Sequence, residues 1–353
     1  MVRKDIVKHL NIEIMKVTIY GAGQIGITAM SNILFTQAPG VAEVIMYSPR
    51  NHKRVEGAYM DLCDASSLIN HNSGWRFRAT GEAKDMQGSD LVFLCAGDSP
   101  TAEEYAEGAK KGIDDRMVQA KKNISILKKF CADTRKYAPN AIVFIVSNPV
   151  DMMTEMARLE LPIQEVYGLG CYLDSARFKR ELYEHLAKEG WRGSYSEINA
   201  WIIGHHCGTM FPHEYSLGLS NPDGFNGDLS EVVEKALART RNRGLEITNV
   251  NKGATTQKLN NGAYFAPSLM VVEIMKAFVN GETILLPLNR RIDEDDLLPD
   301  FVGYQAQLLS LIDERRVRPC HVSFTGNDVN NMRTSIKCYE ESKKLFFSAY
   351  NAE

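Results

Sequence analysis

An apolar run, Met15-Lys-Val-Thr-Ile-Tyr20, stops at Gly21-Ala-Gly23-Gln24-Ile25-Gly26, and helical periodicity follows through Ile25–Phe35. No other feature constrains the chain as much. The first glycine makes a tight turn, the second lets backbone approach a ligand, and the third lets the helix pack closely on the strand. The helix that opens there presents unpaired N–H groups and partial positive charge, which suit a pyrophosphate. Three glycines alone would serve any turn. The strand before them and the helix after them make Gly21, Gly23, Gln24, Ile25 and Gly26 candidates for a dinucleotide site.

The surrounding pattern extends this start. Val44–Tyr47, Trp75–Arg78, Leu91–Cys95 and Ala141–Val146 read as further strands, separated by helical stretches at Lys53–Ser66 and Asp114–Lys136. Strand–helix–strand repeats at this spacing imply a doubly wound parallel sheet with right-handed crossovers. After Asn148-Pro149 the pattern shifts to long helices, at about Leu173–Glu189, Leu229–Thr240 and Ala263–Asn280, with short strands such as Ile198–Ile203. A chain of 353 residues exceeds the roughly 250–300 at which one core stops growing. The expected division is an arm at 1–14, a dinucleotide-binding domain at 15–149 and an α+β catalytic domain at 150–353. Met332, Ile336, Tyr339, Phe346 and Tyr350 form one helical stripe, which implies docking on a core.

Composition excludes several classes. Forty-one basic and 44 acidic residues leave a formal charge of −3, with no basic excess for nucleic acid. Apolar runs such as Ala141–Val146 fall far short of the ~20 residues of a membrane helix. Seven scattered cysteines, without Cys-x-x-Cys, fit reduced thiols in a cytoplasm.

Where NAD-binding units end their second strand with an acid for the ribose hydroxyls, this chain reads Met46-Tyr47-Ser48-Pro49-Arg50-Asn51-His52-Lys53-Arg54. Ser48 and a forked Arg50 would tolerate a 2′-phosphate. The reading leans to NADP(H), with NAD(H) as the alternative and a solvated basic turn as the plain explanation.

Four further segments carry a resemblance: Val146-Ser-Asn148-Pro-Val-Asp151, Gly168-Leu-Gly-Cys-Tyr-Leu-Asp174-Ser-Ala-Arg177-Phe, Trp201-Ile-Ile-Gly-His-His206 and Asn261-Gly-Ala263-Tyr-Phe-Ala-Pro267. Together with the glycine loop they resemble the L-lactate/malate dehydrogenase family, over about Lys16 to Asn280, and look more like its malate branch. The resemblance implies a Rossmann sheet followed by a catalytic domain. It implies hydride transfer between a dinucleotide and a small 2-hydroxy or 2-oxo acid, malate and oxaloacetate first, in a homodimer or homotetramer.

His206 matches the family's base, a role suited to an imidazole near neutral pH. Asp174 matches the carboxylate that fixes the imidazole's tautomer. Arg177, three residues on and so on the same helix face, matches the bidentate grip on the substrate carboxylate. Arg116 matches the arginine that polarises the reacting carbonyl. Asn148 matches the contact to substrate and nicotinamide ribose, with Gly97 and Asn123 beside the cofactor. Ala263 falls where the family tunes pocket size, and its small side chain leaves room for more than pyruvate.

Three departures qualify this. Between Gly97 and Arg116 lie 18 residues, read as a mobile lid with hinges at Gly108 and Gly112. The lid has six acids and no arginine, so only Lys110 and Lys111 could meet a distal carboxylate. His205 and Cys207 replace the family's usual Glu and Gly beside the base. Asn289–Leu298 and Leu311–Cys320 depart from the family's closing strands, as an oligomer contact or a remodelled edge. A metal held by His205, His206, Cys207 and His213 is not expected, because neighbouring ligands on a strand face opposite ways. The alternatives are a metal- and NAD-dependent glycosidase, suggested by Cys171, and a catalytically silent dinucleotide-binding protein.

Overall fold

The computed structural model describes residues 14–69, 74–98, 100–111, 115–254 and 262–352; at 102, 115, 116, 249, 251–254 and 352 the backbone alone is described. The arm at 1–13, the hinge at Gly112 and the Asn261 position lie outside these residues.

The first half alternates as expected: β1 (Met15–Tyr20), α1 (Gln24–Phe35), β2 (Ala42–Tyr47), α2 (His52–Ser67), β3 (Trp75–Thr80) and β4 (Leu91–Leu94). Then come α3 (Ala102–Lys110), α4 (Asp115–Tyr137), β5 (Ile142–Ile145), α5 (Val150–Glu160), β6 (Val166–Gly168) and α6 (Cys171–Lys188). Next follow the two-residue strands β7 (Ile198–Asn199), β8 (Ile202–Ile203), β9 (Phe211–Pro212) and β10 (Gly218–Leu219), and the helices α7 (Leu229–Ala254) and α8 (Phe265–Asn280). The chain closes with β11 (Ile284–Arg291), β12 (Gln305–Asp313), β13 (Arg316–Pro319) and α9 (Gly326–Ala352).

One nine-stranded sheet runs in the order β13-β12-β11-β6-β5-β4-β1-β2-β3. Its parallel part, from β3 to β6, has the doubly wound order 3-2-1-4-5-6. The inner strands β4 and β5 are apolar throughout because helices cover both faces, while the edge strand β3 alternates buried and exposed residues. On one face Met30 and Ile33 of α1 pack with Ile274 and Phe278 of α8. On the other, Leu127 and Phe130 of α4 pack with Met153 of α5 and with Phe346 and Tyr350 of α9. The whole stripe from Met332 to Tyr350 is buried, so the last helix is part of the core.

The divergent closing segments extend one side of the sheet. β11 joins β6 antiparallel at the single pair Asn289↔Gly168, and β12 and β13 add two more antiparallel strands. The sheet thus crosses residue 149. Strands from both sides of the expected boundary share one hydrogen-bonded ladder. The run Ile198–Ile203 is two separate short strands.

The 98–115 segment differs from the loop expected there. It contains helix α3, capped by a box in which Thr101 Oγ1 accepts the Glu104 N–H and Glu104 Oε2 accepts the Thr101 N–H. Glu104 also pairs with Lys122 of α4 at 2.7 Å, which ties α3 to the body of the protein.

Candidate active site

The sheet's strand order reverses between β1 and β4, and ligands of such sheets bind at the carboxyl ends of the strands there. The glycine loop occupies that position. The N–H groups of Gly21 and Ala22 both donate to Tyr47 O at 2.9 Å, which holds the loop over the end of β2. Each glycine has a separate reason. Gly21 has φ +89°, and a Cβ on it would lie 2.3 Å from the Ala96 Cα. A Cβ on Gly26 would press on Ala22, Met46 and Ile19 at 3.1–3.4 Å, the close helix–strand contact that the spacing implied. A Cβ on Gly23 would meet nothing within 4 Å, so of the loop's three glycines Gly23 alone faces open space. Gly23 caps α1 without a side-chain hydrogen bond, and the helix's first turn holds no acid. Gln24 Oε1 is buried and unpaired among the described residues. The uncapped, acid-free start of α1 and the open space at Gly23 are features of an anion cradle, and a dinucleotide pyrophosphate fits them.

At the tip of β2, Ser48 is buried with its N–H on Thr80 O, and Arg50 is exposed. Gly97, Asn123 and Asn148 gather at the ends of β4 and β5. Asn123 Oδ1 accepts the Asp98 N–H at 2.7 Å, and its Nδ2 donates to Asn148 O at 3.0 Å. Ser147 Oγ donates to Ala96 O at 2.5 Å, bracing the same corner. The Asn148–Pro149 bond is cis.

The second half of the site is built on α6 and the loop after β8. Asp174 and Arg177 lie on one face of α6, and Arg177 Nη1 is 3.4 Å from Asp174 Oδ1. The other oxygen of Asp174 meets His206 Nδ1 at 2.5 Å. Asp174 is 1% exposed while the His206 side chain keeps 22% exposure, so the carboxylate is sealed behind a ring that solvent still reaches. Burial pulls the Arg177 guanidinium down from its ordinary pKa, partly offset by Asp174. The approach of α6 is tight. A Cβ at Gly170 would lie 2.7 Å from the His206 Cβ and 2.8 Å from Gln307 Nε2, so no larger residue leaves that ring in place.

The remaining expected positions lie on other elements. Arg116 lies in the first turn of α4, and its side chain lies outside the described residues. Lys110 and Lys111 are exposed at the end of α3, and Lys111 pairs with Glu107 at 2.6 Å. Ala263 is half-buried just before α8, whose Ser268 Oγ donates to Ile25 O of the glycine loop's helix at 3.0 Å.

The neighbouring histidines face elsewhere. His205 stacks on Tyr339 at 4.3 Å with its Nδ1 on Ser335 Oγ, and burial pushes its pKa down. His213 Nε2 donates to Ser323 O at 2.8 Å. Cys171 is fully buried in an apolar cluster with Phe178 and Ile202.

Several residues of the site had no assigned role in the sequence reading. Asp151 Oδ2 accepts the main-chain N–H of His206 at 2.7 Å, and Gln307 and Asn289 donate to its other oxygen. Arg241 of α7 donates to Met210 O at 2.6 Å, within electrostatic reach of Cys207, and forms no ion pair among the described residues. Three residues on, Gly244 faces Arg177 Nη1. The signal for α3 was present as Thr101-x-x-Glu104, a capping box.

The chain is similar to known proteins in sequence and in fold. Residues 15–165 match the family model for the lactate/malate dehydrogenase NAD-binding domain. A malate dehydrogenase of Chlorobium chlorochromatii (strain CaD3) is 29% identical over 289 residues, covering 79% of this chain and 82% of that one. The crystal structure of malate dehydrogenase from Plasmodium falciparum in complex with NADH superposes with a TM-score of 0.74 at 19% identity, over 95% of this chain and 100% of that chain. The lactate dehydrogenase from Eimeria maxima with NADH and oxamate gives 0.75 at 19%, over 96% of each. At those identities the structural likeness is one of fold. No described helix is long and apolar enough to cross a membrane.

Proposed function

The chain is related to the lactate/malate dehydrogenases, an oxidoreductase family, and from that premise we propose that it interconverts an L-2-hydroxy acid and its 2-oxo acid, with malate and oxaloacetate the leading pair. The observation that carries the proposal is the contact of His206 Nδ1 with buried Asp174, beside Arg177. Because Nδ1 is committed to Asp174, Nε2 is the ring nitrogen left to take the substrate's hydroxyl proton. Asp174 then faces the imidazolium that forms. Arg177, whose guanidinium is only partly engaged by Asp174, offers its fork to the substrate carboxylate. A bound nicotinamide dinucleotide supplies the acceptor for the hydride that leaves the substrate's C2, and returns it in the reverse direction. Gly23 and the start of α1 would hold its pyrophosphate, and Asn123 and Asn148 would flank the nicotinamide end.

For a dicarboxylate, a second cation is needed. Lys110 and Lys111 are the candidates for it, with Arg116 polarising the reacting carbonyl, and Arg241, which forms no ion pair among the described residues, supports the proposal as a cation beside the base's loop. The absence of an acid at Ser48–Arg50 supports use of NADP(H) as well as NAD(H). Division into 15–149 for the dinucleotide and 150–353 for the acid, assembly as a homodimer or homotetramer and a cytoplasmic setting complete the reading.

The test is a panel of 2-oxo acids, including oxaloacetate and pyruvate, with NADH and NADPH. Consumption of reduced dinucleotide with at least one acid is expected, and none with any pair ends the proposal. His206→Ala should abolish most turnover, by roughly 100-fold or more, while dinucleotide affinity stays near that of the parent.

A further inference from the structure

Asp151 is buried, and its carboxylate takes three hydrogen bonds, all from neutral donors. Oδ2 accepts the His206 main-chain N–H at 2.7 Å; Oδ1 accepts Asn289 Nδ2 at 2.7 Å and Gln307 Nε2 at 2.8 Å. Among the described residues no cation pairs with it directly. A buried charge left in this way is costly unless something offsets it.

The offset comes through an amide. Asn289, whose nitrogen faces Asp151, turns its Oδ1 to Arg158 Nη1 at 2.9 Å. The same Nη1 reaches Gln305 Oε1 at 2.6 Å, and Gln305 Nε2 reaches Glu155 Oε2 at 2.5 Å. One guanidinium is thus linked to two carboxylates, each through an amide with oxygen toward the cation and nitrogen toward the acid. Such chains polarise one another and strengthen both ends. Arg158 sits where β6 and β11 part after their single pair, and its Nε donates to the freed Val166 O at 2.9 Å. Burial lowers its pKa to about 10, so it keeps its charge at neutral pH.

We propose that Asp151 is a positioning residue for His206: it fixes the main chain of residue 206 while Asp174 fixes the ring, and its charge, set by Arg158 through Asn289, stands behind the imidazolium. The proposal rests on the dehydrogenase reading for its kinetic consequence. The other charged groups around His206 among the described residues are Asp174 and Arg177 from α6 and Arg241 from α7, with His205 and Cys207 adjacent in the chain; Gln307 from β12 is neutral.

The experiment uses the full chain with Asp151→Asn and Asn289→Ala, and follows 2-oxo acid reduction against pH. Asp151→Asn should lower kcat by roughly 10- to 100-fold, since small misplacements of a catalytic group cost that much, with the KM for dinucleotide unchanged. Reduction requires a protonated base, so loss of the anion should move the alkaline fall in rate to lower pH, by about one unit. Asn289→Ala keeps the carboxylate but detaches it from Arg158, and should move the same fall to higher pH. Opposite displacements are what a merely structural role would not produce. An unmoved profile, or displacement of both variants in one direction, overturns the proposal. If Asp151→Asn does not fold, Asn289→Ala decides alone by the same criterion. If the parent turns over no acid, the functional reading has failed separately. Proton NMR titration of the residue 206 ring in the cofactor-free chain, assigned with His206→Gln, then reads the same two displacements without turnover.

Discussion

Replacing Asp174 with Asn removes one charge from the centre of the site and changes almost no volume. An amide oxygen can still accept the His206 Nδ1 hydrogen, so the ring need not move. What disappears is the anion facing the imidazolium. The contact is 2.5 Å long, and Asp174 is 1% exposed. Breaking a buried pair by removing one partner costs about 3–5 kcal/mol. The ring's 22% exposure lets water screen part of this, so the lower end, about 3 kcal/mol, is appropriate. At ~1.4 kcal/mol per decade, that predicts a loss of about two decades in kcat/KM. Arg177 simultaneously loses its 3.4 Å partner and is freer to meet the substrate carboxylate, so the acid's KM should change less than kcat. Steady-state consumption of reduced dinucleotide measures both, with thermal unfolding as the check on folding. A folded Asp174→Asn enzyme within about threefold of the parent kcat/KM would refute the reasoning.

Other outcomes follow from other parts of the molecule. Gly21→Ala meets Ala96 and a φ of +89°, so thermal unfolding should show a loss above about 1 kcal/mol. Gly23→Ala meets nothing, so it should melt near the parent while losing dinucleotide affinity in titration calorimetry; unchanged affinity would remove Gly23 from the cradle. Arg50→Asp should weaken NADPH binding far more than NADH binding, and equal losses would count against a 2′-phosphate contact. Burial alone would raise the Asp296 carboxylate, but Arg290 and the Asp293 N–H outweigh it and hold its pKa below the ordinary 3.8. Its contribution to stability is therefore complete above about pH 4 and lost as pH falls through the lower folded value. Asp296→Asn should show a shallower fall in melting temperature below about pH 4, and a slope as steep as the parent's would exclude this pair as a source of acid sensitivity.

Local sequence determined a good deal of this protein. The glycine loop, its strand and its helix need only their own residues, because turn geometry and apolar periodicity act over a few positions. The same holds for Asp174 and Arg177, three apart on one helix, and for the buried stripe of α9. The capping box of α3 was equally local, but acidic, glycine-containing composition drew the reading toward a loop. Tertiary structure decided what separation in the chain conceals. Asp174 and His206 are 32 residues apart, and their contact exists because α6 and the loop after β8 meet at Gly170. Asp151 draws donors from Asn289 and Gln307, 138 and 156 residues away, on strands that join the sheet only after the second half has folded back. Hydrogen bonds between remote amides and carboxylates leave no periodicity in a sequence, since each residue type is also an ordinary surface residue. Only burial, which the whole fold creates, gives them their direction and strength.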